Sequence, residues 1–175
     1  MALIVEDGTA KPDANSYVAV ADVRAFATDR GVDLSGLNDA AVTALILKAT
    51  DYLESLGPRY VGTVSTGTQA LSWPRINVQN QDGSSFPSSG AGSIPLALKN
   101  AQCQLCLEAN NGVDLMPTVD NNATGGFVIR KKIDVIEKQF SEKIGTLKQP
   151  LMPKVDRWLQ NLLSPRPGGM TAVRV

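Results

Sequence analysis

Apolar residues recur at helical spacing in four stretches of this chain and at strand spacing in a fifth. From Ser16 to Arg30, the residues Val20, Val23, Phe26 and Ala27 predict a short helix with Asp29 and Arg30 on its polar side and Gly31 as its stop. Val42, Leu45, Ile46, Ala49, Tyr52, Leu53 and Leu56 predict a longer helix, which Asn38 can cap and Gly57-Pro58 ends. Pro95, preorganised for a first helical turn, opens a third helix with the stripe Leu98, Ala101, Leu105 and Ala109, closed by Asn111-Gly112. Pro153, Val155, Trp158, Leu159, Leu162 and Leu163 describe a short fourth one. Between the last two, Ile129, Lys131, Ile133 and Val135 alternate with Val128, Arg130, Lys132 and Asp134. Period two predicts an exposed strand or hairpin arm, with a helix from about Ile133 as the competing reading.

The intervening stretches are different in kind. Residues 1–15 hold Gly8, Pro12 and the turn formers Asp13-Ala14-Asn15, and read as an extended arm. Residues 58–93 are rich in Thr, Val and Gly and carry Pro74, which no central strand accepts, so they read as irregular loop with short extended pieces, flexible over 76–93. A polar linker, "TVDNNATGG", follows Pro117, and "SPRPGGMTAVRV" leaves the last helix as a tail. No internal repeat is visible. The predicted fold is mainly α, a small bundle of about four helices. One domain, 1–164, carries the N-terminal arm (1–15), the loop (76–93), a linker with a strand-like or hairpin arm (117–148), and then an extended C-terminal tail (165–175). Arms bury little surface on themselves, so the entropy lost on ordering them has to be offset by contact with something else. Subunits that interlock with neighbours are expected.

With 175 residues, 43% of them hydrophobic, the chain can bury one real core. Its 17 basic and 17 acidic residues cancel, so no long-range field gathers phosphate or acidic lipid, which weighs against a dedicated nucleic-acid binder. "MALIVEDGTA" has no basic segment, and no stretch approaches the roughly 18 apolar residues of a membrane span. A soluble protein made in the cytoplasm, with no membrane partner, is expected. Histidine is absent, which removes the commonest general base and the commonest metal ligand together. The remaining titratable residues form no convergent set, so no catalytic residue, metal or cofactor is expected.

Cys103-Gln-Leu-Cys106 is the one motif that looks reactive. A redox pair needs its first sulfur at a helix N-terminus, whereas Pro95 starts this helix two turns earlier, and zinc needs two further ligands. Both thiols therefore read as core residues. Gly90, Gly92, Gly125 and Gly126 form no phosphate cradle. Arg130-Lys131-Lys132 could meet phosphate, but a charged edge that discourages strand pairing is the plainer reading. "ALSWPRINV" sets Trp73, Pro74 and Arg75 side by side in a chain only 5% aromatic. Either Trp73 is a core anchor, or the three make a platform on which a nucleobase stacks.

Four pieces in order, "VEDGT" with "ANSYV", "ATDYLES", "QALSWPR" and the IP-x-x-L-K-x-A-x-C run at 94–103, resemble the head-to-tail connector proteins of tailed phages, also called adaptor or head completion proteins. One branch of these carries a DnaT-like single-stranded DNA-binding label. The resemblance covers about residues 3–163. It implies a small helical protein of the virion neck that is assembled in the host cytoplasm and forms a dodecameric ring beneath the portal protein. Such a ring meets the tail or a further completion protein on its other face, and DNA only passes through its channel. It further implies that Trp73 and Pro74 anchor the loop between the second and third core helices, and that Arg75 reaches a neighbouring subunit or a helix C-terminus. Phe127, Ile129, Arg130, Lys132 and Ile133 become candidate arm contacts, and Met170, Val173, Arg174 and Val175 a candidate portal-binding tail. A DNA-binding accessory module of replication is the alternative.

Overall fold

In this computed structural model, which describes residues 2–79, 93–117, 128–132, 137–140 and 152–164, the fold is mainly α, as the apolar spacing predicts. The helices are α1 (Val20–Thr28), α2 (Asp39–Ser55), α3 (Leu96–Asn110) and α4 (Pro153–Leu159). The Asn38 side chain accepts a hydrogen bond from the Ala41 backbone N–H at 2.8 Å and so caps α2. Beyond Ser55 the chain tightens into a one-turn 3₁₀ helix, Gly57–Arg59, because Pro58 cannot continue the α-helical ladder. Helix α1 is shorter than its apolar spacing suggests. Ser16 to Val18 are held instead in a local turn, where Ser16 Oγ bonds the Val18 carbonyl at 2.7 Å.

Helix α3 lies at the centre, touching each of the other three helices. Its residues Ala101 to Leu107 are all buried, so this stretch turns no side to solvent and depends on partners all round. Leu98, Leu105 and Leu159 are fully excluded from solvent; each such burial stabilises the fold by about 1.5–3 kcal/mol. Cys103 and Cys106 belong to this core as free thiols, as the motif's position in the helix implies. On the helix rim, Lys154 of α4 meets Glu108 of α3 at 3.0 Å. Burial pushes the Glu108 carboxyl up, but hydrogen bonds from Lys154 and Gln104 outweigh it and hold the carboxyl below its ordinary range.

Two small antiparallel ladders complete the described structure. Strand β1 (Thr63–Val64) pairs with β2 (Arg75–Ile76) within the long loop, setting Thr63 opposite Ile76 and Val64 opposite Arg75. Strand β3 (Val128–Lys132) pairs with β4 (Glu137–Phe140), setting Val128 opposite Phe140 and, after a register irregularity between Val128 and Arg130, Lys131 opposite Lys138 and Lys132 opposite Glu137. The arm is thus a hairpin, and Glu137–Phe140 is strand where the competing reading had helix. The chain divides into two compact units, Met1–Leu115 with Met152–Val175, and Met116–Leu151. No helix among the described residues is long and apolar enough to cross a membrane.

The N-terminal segment, expected as an extended arm, is laid back onto the helical body. Glu6 N–H donates to the Ser16 carbonyl and Asn15 N–H to the Ile4 carbonyl, at 2.8 and 2.9 Å. The turn between them wraps the fully buried Glu6 carboxylate, which accepts from the N–H groups of Gly8, Ala10 and Lys11 at 2.7–3.0 Å. A short polar segment can be ordered this way without neighbours, because a buried anion gathers donors that the turn would otherwise leave open.

Candidate functional site

Glu54, on the last turn of α2, joins three parts of the body. Its Oε1 accepts from the Tyr17 hydroxyl at 2.5 Å, and its Oε2 accepts from both the N–H and the Oγ of Ser72 at 2.8 and 2.7 Å. The Tyr17 oxygen in turn accepts from the Trp73 N–H at 3.2 Å. Burial, and then the neighbouring Glu54 carboxylate, push the Tyr17 hydroxyl far above its ordinary pKa, so it stays a protonated donor.

Trp73 is fully buried. Its ring meets Tyr60 edge to face, with centroids 5.9 Å apart and planes at 79°, and the Tyr60 hydroxyl donates to the Leu53 carbonyl at 3.1 Å. Pro74, joined to it by a cis peptide, is buried as well. The guanidinium of Arg75 donates to the carbonyls of Val61 at 2.9 Å, Gly62 at 2.7 Å, and Tyr60 and Ser72 at 3.3 Å. Three of these carbonyls follow directly on the 3₁₀ helix, so one planar cation closes a segment whose C=O groups have no ladder partner. Gly62 is required here. Its φ is +75°, and a Cβ would lie 2.5 Å from the Ile76 carbonyl oxygen.

A second cluster sits behind the first. Gln102, fully buried on α3, accepts from the Tyr17 N–H at 3.0 Å and donates to Thr50 Oγ1 at 2.8 Å and Ser16 Oγ at 3.1 Å. It therefore ties α3 to α2 and to the N-terminal segment through one amide.

These groups hold structure. The polar atoms of Glu54, Arg75 and Gln102 are directed to backbone and neighbouring side chains, and burial raises the Cys103 thiol to about 12 and Cys106 beyond that, which leaves both inert near neutrality. Among the described residues no group of three or more acidic or thiol side chains could hold a metal ion. The nucleobase platform has no basis at Trp73, whose ring is inside the core. Phe26, Tyr17, Tyr52 and Tyr60 are buried too, and Trp158 is half-buried against the core.

The three loop residues singled out from sequence are thus brought together in one clasp, with Arg75 engaged inside its own chain. Ile129, Arg130 and Lys132 fall on β3, while Phe127, Ile133, Met170, Val173, Arg174 and Val175 lie outside the described residues. Sequence reasoning passed over Glu6, Glu54 and Gln102. The available signal was a polar residue inside an apolar run, as in "AQCQLCL".

The whole chain, residues 1–175, matches the family described as "Putative DnaT-like ssDNA binding protein", and the protein belongs to that family. No curated protein and no solved structure matches it.

Proposed function

We propose that this protein is a non-catalytic structural subunit of the phage head-to-tail connector kind, assembling as a ring between the portal and the tail and extending the DNA channel. The observation that supports it is the convergence of the four resemblance-bearing pieces. Glu6 and Tyr17 come from the first, Thr50 and Glu54 from the second, Ser72 to Arg75 from the third, and Gln102 from within the fourth. All are used in the clasps that hold the body together, so what these sequences share is a way of folding, without a reacting centre. A ring subunit needs a rigid body of this kind. Mass photometry of the purified protein with its cognate portal tests the reading: portal-dependent accretion of many copies, near twelve, is expected, and absence of any association refutes it.

The family description favours a second reading, single-stranded DNA binding, over the connector one. Its support in the chain is compositional and lies on the β3–β4 hairpin. Tight binding of a single-stranded oligonucleotide at physiological salt, together with no portal association, would make it the function.

A further inference from the structure

We infer that the β3–β4 hairpin is the protein's contact for a nucleic-acid phosphate backbone. As sequence alone, Arg130-Lys131-Lys132 reads as a solvated edge; the strand pairing adds Lys138 to the same ribbon. Four of the chain's 17 basic residues and one of its 17 acidic ones fall in the nine residues of β3 and β4, so these strands carry +3 and the remainder of the chain −3. The connecting residues 133–136 add one acid, Asp134, which leaves +2 over residues 128–140. Charge is thus balanced overall but segregated locally, and the positive excess is carried on a two-stranded antiparallel ribbon.

The register sharpens this. Lys131 stands directly opposite Lys138, a like-charge pair that works against the hairpin it belongs to. A two-stranded hairpin is marginal in water by itself. A polyanion laid along the ribbon would neutralise that repulsion and add stabilisation, whereas a neutral protein surface would desolvate the cations without offering opposite charge. Five residues of strand extend about 17 Å, long enough to follow several successive phosphates, and a two-stranded ribbon matches the width of a duplex major groove. Mixed Lys and Arg, with Gln139 beside them, suit contacts to phosphate that carry no base identity. The inference stands under either functional reading: the same contact would serve genome passing through a channel or a single strand held outside one.

The experiment is a salt titration of the full-length protein binding a fluorescent single-stranded oligonucleotide, and in parallel a duplex of the same length, between about 50 and 200 mM salt. The triple variant Lys131→Gln/Lys132→Gln/Lys138→Gln should lower the slope of log affinity against log salt on single strands by about 2, at roughly 0.7 for each phosphate no longer neutralised. Glu137→Gln, which removes the one acid from the strands, should bind more tightly than the parent. Lys48→Gln/Lys99→Gln, altering helices of the body, should match the parent. Where the triple variant loses affinity and slope the ribbon assignment stands, and stronger parent binding to the duplex then points to the channel, to the single strand to the family description. If the parent binds and the triple variant matches it in affinity and slope, the ribbon assignment fails while DNA binding survives. If the parent binds neither nucleic acid at the lowest salt, the ribbon assignment and the single-strand reading fail together. Unaltered affinity with new self-association of the triple variant would overturn the proposal in favour of edge protection.

Discussion

The clasp around Trp73 and the hairpin at 128–140 handle charge in opposite ways. In the clasp, Glu54 and Arg75 come from elements far apart in sequence, and each is surrounded by donors or acceptors of its own chain. In the hairpin, cations are adjacent in sequence and opposite in register, with a single acid on the two strands. Polar groups matched inside the molecule fix a fold; a run of like charge on one ribbon is the kind of feature that an anionic partner can meet. The most recognisable motif of this protein is thus an internal feature, distinct from the proposed nucleic-acid contact.

The sharpest way to break that comparison is at Trp73. Trp73→Ala should destabilise the body by about 3–5 kcal/mol in urea denaturation, the range for a deeply buried aromatic. A loss below about 1 kcal/mol would mean that the ring is not the anchor. Gln102→Leu, which keeps volume while taking the acceptor from the buried Tyr17 N–H and the amide donor from Thr50 Oγ1 and Ser16 Oγ, should lose about 2–3 kcal/mol by the same method. Gly62→Ala should lose about 1–2 kcal/mol, because alanine resists positive φ and its methyl meets the Ile76 carbonyl. A neutral effect there would show that the loop can move aside.

A smaller effect separates the core from the surface through pH. The Cys103 thiol is raised by burial from its ordinary value of 9.0 to about 12, with Cys106, Tyr17 and Tyr60 raised as well. In that window the unfolded chain gives up protons that the folded one retains. Stability should be fully present below about pH 9 and decline as pH rises toward about 12. Denaturation midpoints measured at about pH 8 and about pH 10.5 check the sign; equal midpoints would place the thiols nearer water than their burial indicates. The least effect on stability should come from the triple ribbon variant, which should leave the melting of the helical body where it is.

Much of this was legible in the sequence, and the illegible part has a common cause. The apolar stripes of α2 and α3 and the Asn38 cap are local signals, and they predict the helices within a residue or two of their ends. The alternation around Arg130 is local too, and β3 forms there. Gln102 meets partners 52 to 86 positions away, and Glu54 reaches Tyr17 across 37, so nothing in their neighbourhoods announces a role. The N-terminal segment misled for a related reason. Its turn formers suggest an arm, while what folds it is one glutamate that collects three backbone donors within five residues.

Hydrogen–deuterium exchange of the full-length protein at low salt, with and without a single-stranded oligonucleotide, tests the central distinction most directly. DNA should slow exchange in peptides spanning 128–140 and leave those spanning 54–76 unchanged. Slowed exchange at 71–76 without any change in the hairpin would contradict the account, and would return the Trp-Pro-Arg loop to the binding surface.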